Sequence, residues 1–214
     1  MNANEAILRV VTIVIIFFLP HAELLPFFIY TIPITLITWL VLKYCNKTFA
    51  DIGFSFKRFK PQSIVFGGIA AVVTLTFMQL VFHPFLDLFI ELEYSDSGLT
   101  ETIRGGKLQF FIMVILGWLI GGVYEEIVFH GFIFSSLEMI MKGKYRTHIS
   151  FIITSMIFGV YHIQLGASGL INALVVGAIY LALFLYFKRN LWYSIFCHGV
   201  YNTLVMTLIY LDYL

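Results

Sequence analysis

Charge is what this chain has least of. Only 12% of its 214 residues are Asp, Glu, Lys or Arg, against 60% hydrophobic and 18% aromatic residues. A soluble domain of this length cannot cover its surface with so few polar groups, so lipid is the expected solvent. Thirteen Lys and Arg against twelve Asp and Glu leave a net charge of +1, which excludes the strong basic field of a nucleic-acid binder. Cysteine is scarce too. Cys45 beside a basic loop and Cys197 inside an apolar run give neither a disulfide framework nor a cysteine zinc spacing, and both read as structural. With no low-complexity stretch, internal repeat or linker at which to divide it, the chain reads as a single integral membrane domain over 1–214.

What is present is apolar sequence in long runs. Runs of spanning length fall at about 5–20, 25–42, 63–86, 108–141, 149–165, 169–187 and 191–211. They predict an all-α, polytopic transmembrane bundle of about seven helices. Arg9 is the one basic residue before the stretch Val10 to Leu19, and no small-residue cleavage pattern precedes Pro20, so the first run is expected to stay as a span. Polar residues gather at 43–62, with Lys43, Lys47, Lys57, Arg58 and Lys60, and at 87–107, with Asp87, Glu91, Glu93, Asp96 and Glu101. Lys142, Lys144 and Arg146 make another basic turn, and Lys188 with Arg189 a third. The positive-inside rule then puts 43–62, 142–148 and 188–190 in the cytoplasm, with the N-terminus inside and the C-terminus outside. Lys57-Arg58-Phe59-Lys60, basic and aromatic, is expected to lie on anionic lipid. His21, His83 and His148 fall near helix ends, where interfacial contacts account for them, and Trp118 and Trp192 read as aromatic filling and belt.

The run 108–141 is too long. At ~1.5 Å per residue it would measure about 50 Å against a hydrocarbon core of about 30 Å, so it must tilt, protrude or break, with Gly121, Gly122 and Gly131 as candidate break points. Inside it lie Glu125 and Glu126. Each ionised carboxylate at membrane depth costs roughly 2.5–3.5 kcal/mol, and adjacent ones repel. The alternative, a solvated helix end, conflicts with the ten or more apolar residues on each side. Neighbours on an α-helix point about 100° apart, so Glu125 and Glu126 are not expected to face one partner, whereas Glu126 and His130, four apart, can pair. Two more embedded histidines follow, His162 and His198, and His198 shares a helical face with Asn202. A lone histidine in an apolar helix is commonly a hydrogen-bonded core residue, but three helices each bearing an expensive polar group point to a site. A carboxylate that holds a water, with imidazole and amide groups for an oxyanion, is what peptide hydrolysis needs. Counting along the runs puts His162 about 20 Å and His198 about 10 Å from the basic end, a mismatch for one site.

Three motifs in order carry a resemblance: Glu125-Glu126 with Phe129 and Gly131, then Phe158 to His162, then His198 to Asn202, with Gly177 to Tyr180 and Asn190-Leu191-Trp192 ahead of the last. The pattern resembles the membrane-embedded CAAX protease and bacteriocin-processing family, Glu-Glu-x-x-x-Arg, Phe-x-x-x-His and His-x-x-x-Asn, over about residues 108–205. The resemblance implies an intramembrane endopeptidase acting on a membrane-associated, prenylated or leader peptide, and the short, Phe- and Ile-rich chain is expected to lie in a bacterial plasma membrane. It implies Glu125 as the water-activating carboxylate, with Glu126, His162, His198 and Asn202 in the catalytic set and His130 and Phe158 in support. The cofactor stays open. Glu125, His162 and His198 suit Zn²⁺ as a ligand set, but the His-Glu-x-x-His helix of soluble zinc proteases is absent. His130 departs from the pattern, standing where the family has arginine, and a neutral imidazole holds a carboxylate less firmly than a guanidinium fork.

Two rival readings remain at this level. Gly166-Ala167-Ser168-Gly169 looks like the rhomboid serine-protease signature, with Ser168 as nucleophile and His198 as base, although Tyr201 and Asn202 replace the small residues that should follow. A non-catalytic scaffold or self-immunity protein of the same fold is the other, with His130 as its support.

Overall fold

The computed structural model describes residues 2–22, 24–25, 28–89 and 98–213, and within them the chain is eight helices with no strand. The acidic residues Glu91, Glu93 and Asp96, and Pro26 and Phe27 of the second apolar run, lie outside the described residues. The all-α bundle is as the apolar runs require, and the helix beyond the expected seven is a six-residue piece, Leu99–Arg104.

In chain order the helices are α1 (Ala3–Ala22, its last turn 3-10), α2 (Thr31–Tyr44), α3 (Pro61–Asp87), α4 (Leu99–Arg104), α5 (Lys107–Ile140), α6 (Arg146–Tyr161), α7 (Gly166–Tyr186) and α8 (Leu191–Tyr210). α1 starts at Asn2, whose side chain accepts from the Glu5 amide at 2.8 Å while Glu5 reaches back to the Asn2 amide. Pro61 opens α3, where its missing N–H is no loss.

Among the described residues four helices are long and apolar enough to cross a membrane: α1, α3, α5, and α7 together with the 3-10 turn before it. The other three spanning runs fall short for physical reasons. α2 has 14 residues and α6 has 16, while α8 carries His198, Asn202 and several hydroxyls among its apolar residues.

α5 is the centre of the bundle, packed by α2, α6, α7 and α8. Of the three expected outlets for its excess length, a break is not taken. The helix runs unbroken, but over Gly117–Ile133 it widens into π-helical turns, far beyond the single-turn bulge that is usual. More residues per turn shorten the run, which relieves part of the length excess without a kink. The glycines serve close approach instead. A Cβ on Gly122 would stand 3.5 Å from the Gly199 Cα, one on Gly199 would strike the Trp118 ring, and one on Gly131 would lie 3.1 Å from the Ile52 carbonyl.

The three basic loops meet at one end, as a shared side of the membrane requires. Leu191 N–H donates to the Gly53 carbonyl at 3.2 Å, and Trp192 Nε1 donates to Ser55 O at 2.9 Å. Arg189 forks onto Glu138 with two bonds of 2.7 Å, and Thr147 joins the same carboxylate at 2.6 Å.

Candidate active site

The site is built on the π-helical part of α5. Turns closed by i→i+5 bonds set neighbours about 80° apart rather than about 100°, which brings adjacent side chains nearer to one direction. Glu125 and Glu126 use this, and the expectation that they could not share a partner is overturned. His198 on α8 meets both: its Nδ1 is 2.9 Å from Glu126 Oε1, and its Nε2 is 3.9 Å from Glu125 Oε2.

Glu126 is fully buried. Its second oxygen is 2.8 Å from His130 Nδ1, the pairing expected from the four-residue spacing. One carboxylate thus braces two imidazoles. Glu125 makes no such close bond and stands between two ring nitrogens, His198 Nε2 and His162 Nε2, each 3.9 Å from Oε2. His162 Nδ1 is 2.8 Å from the Phe158 carbonyl, which can only accept, so that nitrogen carries the proton and Nε2 keeps its lone pair. Phe158 also packs edge-on to Phe129 and against His130 and His162, and Tyr180 stacks on His198 at 4.4 Å, fixing the rings in place.

His162 and His198 therefore face one carboxylate, and the 10 Å mismatch of depth disappears for a visible reason. α8 begins beside Gly131, which lies against Leu191, whereas α6 begins beside Glu138, which bonds Thr147. Seven residues along α5 separate those levels, about 10 Å at ~1.5 Å per residue, so the two helices start at different heights. α6 also ends earlier than its apolar run, at Tyr161, leaving His162 as the residue that caps it.

Asn202 lies one turn beyond His198. Its amide donates weakly to the Gly117 carbonyl at 3.4 Å. A Cβ on Gly121 would come within 2.5 Å of Asn202 Nδ2 and 3.0 Å of His198 Nε2, so amide and imidazole share the gap that this glycine leaves.

Sequence reasoning missed a group of tyrosines. Tyr124 and Tyr161 precede Glu125 and His162 in the chain, and with Tyr30 they lie in mutual electrostatic reach and within reach of Glu125. The hydroxyls of Tyr124 and Tyr161 are buried, and the Tyr161 hydroxyl lies against those of Tyr30 and Tyr124. The signal available was that a tyrosine adjoins two of the motif residues. His21 is also more than an interfacial residue: its Nε2 is 3.1 Å from the Tyr161 carbonyl, tying the end of α1 to the end of α6.

The donor chemistry for a metal is of the right kind: two imidazole lone pairs, each with its other nitrogen anchored, and a carboxylate. The spacing is wide. Among the described residues no three His, Cys, Asp or Glu side chains gather closely enough to hold a metal ion as they stand. The serine reading loses its base, because both ring nitrogens of His198 face glutamates, while Ser168 sits buried in the first turn of α7.

Comparison with known proteins agrees with the motifs. Residues 107–204 match the family model described as Type II CAAX prenyl endopeptidase Rce1-like, and no curated protein or solved structure matches the chain. The match covers just under half of the sequence, from the start of α5 to beyond Asn202, and contains all three motifs and every side chain that faces Glu125 or Glu126 from α5, α6 or α8. Through that stretch this integral membrane protein is similar to the CAAX protease family that its motifs resemble.

Proposed function

We propose that the chain is an intramembrane endopeptidase that hydrolyses a peptide bond of a membrane-associated substrate by a glutamate-activated water. The observation that carries this is Glu125 Oε2 standing 3.9 Å from two imidazole nitrogens, too far for direct bonds and close enough for one bridging water. Glu125 takes a proton from that water as its oxygen bonds to the scissile carbonyl carbon. His162, its tautomer set by Phe158, accepts a hydrogen bond from the hydrogen that stays on that oxygen and so aims its lone pair. The Asn202 amide donates to the oxyanion that forms. Collapse breaks the C–N bond, and the proton held by Glu125 passes to the leaving nitrogen.

Glu126 is a positioning residue. Its bond to Nδ1 fixes the orientation of His198 and stabilises that ring if it gains a proton, as a buried carboxylate does for a histidine base. His130 holds the other side of the carboxylate, the place an arginine takes in the family pattern. Zn²⁺ bound by Glu125, His162 and His198 would supply Lewis acidity to the water, and no step above is routed through it. The substrate class is a prenylated C-terminus or a leader peptide, and the compartment a bacterial plasma membrane.

The test is single-turnover cleavage of a peptide library by detergent-purified protein, with and without chelator. Glu125→Gln keeps size and hydrogen bonding but removes the base, so cleavage should vanish while the protein stays folded. An active Glu125→Gln enzyme would refute the glutamate mechanism, and a wild type that cleaves nothing would favour a scaffold.

A further inference from the structure

The basic end of the molecule holds a feature that peptide hydrolysis does not use. Two segments 130 residues apart, around Arg58 and Lys188, meet about a concavity of about 460 Å³ lined by Lys57, Arg58, Lys60 and Lys188, with Asn190 and Tyr193 in its wall. Four cations in one hollow repel each other unless something negative joins them.

The ties that hold the segments together cancel none of that charge. Arg58 Nη2 donates to the Lys188 carbonyl at 2.6 Å, and Asn190 Nδ2 donates to the Arg58 carbonyl at 2.9 Å. Among the described residues none of the four cations has a carboxylate within ion-pair distance. The acids close by are engaged: Asp51 with Lys47 at 3.4 Å and Glu138 with Arg189 at 2.7 Å. Lys188 and Arg189 also hold left-handed backbones, with φ of 55° and 58°, a conformation that costs a non-glycine residue about 1 kcal/mol or more. A bound anion would offset the repulsion among the four cations, and among the described residues no carboxylate of the chain does.

Location decides which anion. The hollow sits where α3 begins at Pro61, α7 ends at Tyr186 and α8 begins at Leu191. One turn into α3, Ile64, Val65 and Phe66 are 46%, 59% and 48% exposed on an apolar face that hydrocarbon must cover. A phosphate held in the hollow thus has acyl-chain territory beside it. We propose that this is a binding site for the phosphodiester headgroup of an anionic phospholipid, its oxygens taken by the Arg58 guanidinium and the three lysine ammonium groups and its chains lying along the start of α3. The inference rests on the charge and shape of this hollow and stands whether or not the protein cleaves peptides.

The experiment reads lipid binding, not activity. Protein released from nanodiscs of equal phosphatidylglycerol and phosphatidylcholine is examined by native mass spectrometry for retained lipid. The expected result is one phosphatidylglycerol retained in clear preference to phosphatidylcholine, with the preference falling about 5-fold for each lysine removed in Lys57→Gln, Lys60→Gln and Lys188→Gln. Lys144→Gln, in a different basic turn, should leave it unchanged. These lysines are exposed, so melting temperatures should match wild type. Millimolar inorganic phosphate should fail to displace the lipid. Equal retention of the two lipids by wild type, a triple variant that keeps the preference, or displacement by inorganic phosphate would each overturn the assignment.

Discussion

Helices α3 and α5 are alike as sequences and unlike as parts. Both are long, continuous and apolar enough to cross a membrane, yet 22% of the apolar stretch of α3 is buried within the molecule against 44% of that of α5. α3 shows a broad face to lipid, with Val65, Ile69, Val72 and Val73 more than half exposed. α5 is enclosed over the turns that carry Tyr124 to Ile133, and its buried residues include two glutamates and a histidine. Apolarity brings a helix into the membrane, whereas glycines and costly polar groups decide how deep in the bundle it sits.

The same substitution in the two helices should separate them most sharply. On Gly68 of α3 a Cβ meets nothing within 4 Å, whereas on Gly121 of α5 it would meet Asn202 Nδ2 at 2.5 Å and His198 Nε2 at 3.0 Å. Gly68→Ala should keep full turnover and raise the melting temperature slightly, since alanine favours helix over glycine by up to about 1 kcal/mol. Gly121→Ala displaces the imidazole and the amide together, and its single-turnover rate should fall by ~10³-fold or more, beyond the loss of one oxyanion donor. Wild-type turnover in Gly121→Ala would mean that α8 does not approach α5 as described. Asn202→Ala removes the amide alone, and the expected loss is roughly 10²- to 10³-fold in the rate of the chemical step. A change in KM with kcat intact would instead make Asn202 a ground-state binding residue.

The sequence made one level of this comparison readable and hid another. Apolar runs located the long helices to within a few residues, and four-residue spacings found both the Glu126–His130 pair and the common face of His198 and Asn202. The π-helical turns of α5 were hidden because hydropathy carries no information about which carbonyl an amide bonds. For that reason Glu125 and Glu126 were expected to diverge, and the glycines of α5 stood as candidate break points. The unequal starting heights of α6 and α8 were hidden as well, since they depend on contacts of Leu191 with Gly131 and of Thr147 with Glu138 across the bundle. The basic hollow was half visible: Lys57 to Lys60 read as a surface segment, but only folding sets Lys188 beside it.

Hydroxyl groups give a finer comparison of buried and exposed parts. Tyr161 has its hydroxyl buried beside Glu125 and the other two tyrosines, whereas Tyr44 at the end of α2 is 59% exposed. Tyr161→Phe should lower the rate of cleavage about 10-fold if its hydroxyl donates to the reacting carbonyl, the worth of roughly one net hydrogen bond. Tyr44→Phe should do nothing. A rate for Tyr161→Phe equal to wild type, with a raised melting temperature, would make the hydroxyl only a buried polar cost.

The smallest effect concerns the residue that departs from the family pattern. His130 is wholly buried, with Nδ1 on Glu126 and Nε2 without a hydrogen-bond partner. An arginine would present a two-pronged charged fork to Glu126, whereas an imidazole offers a single N–H. His130→Arg should therefore change the single-turnover rate by a few-fold at most, and His130→Gln, another single donor, should stay close to wild type. Arginine is the longer side chain and enters a space bounded by Phe158 and Tyr180. Overpacking would lower the rate and the melting temperature together, which distinguishes it from a change in how the carboxylate is held. An unchanged rate in His130→Ala would show that the Glu126–His130 bond, though 2.8 Å long, has no part in setting the activity of the site.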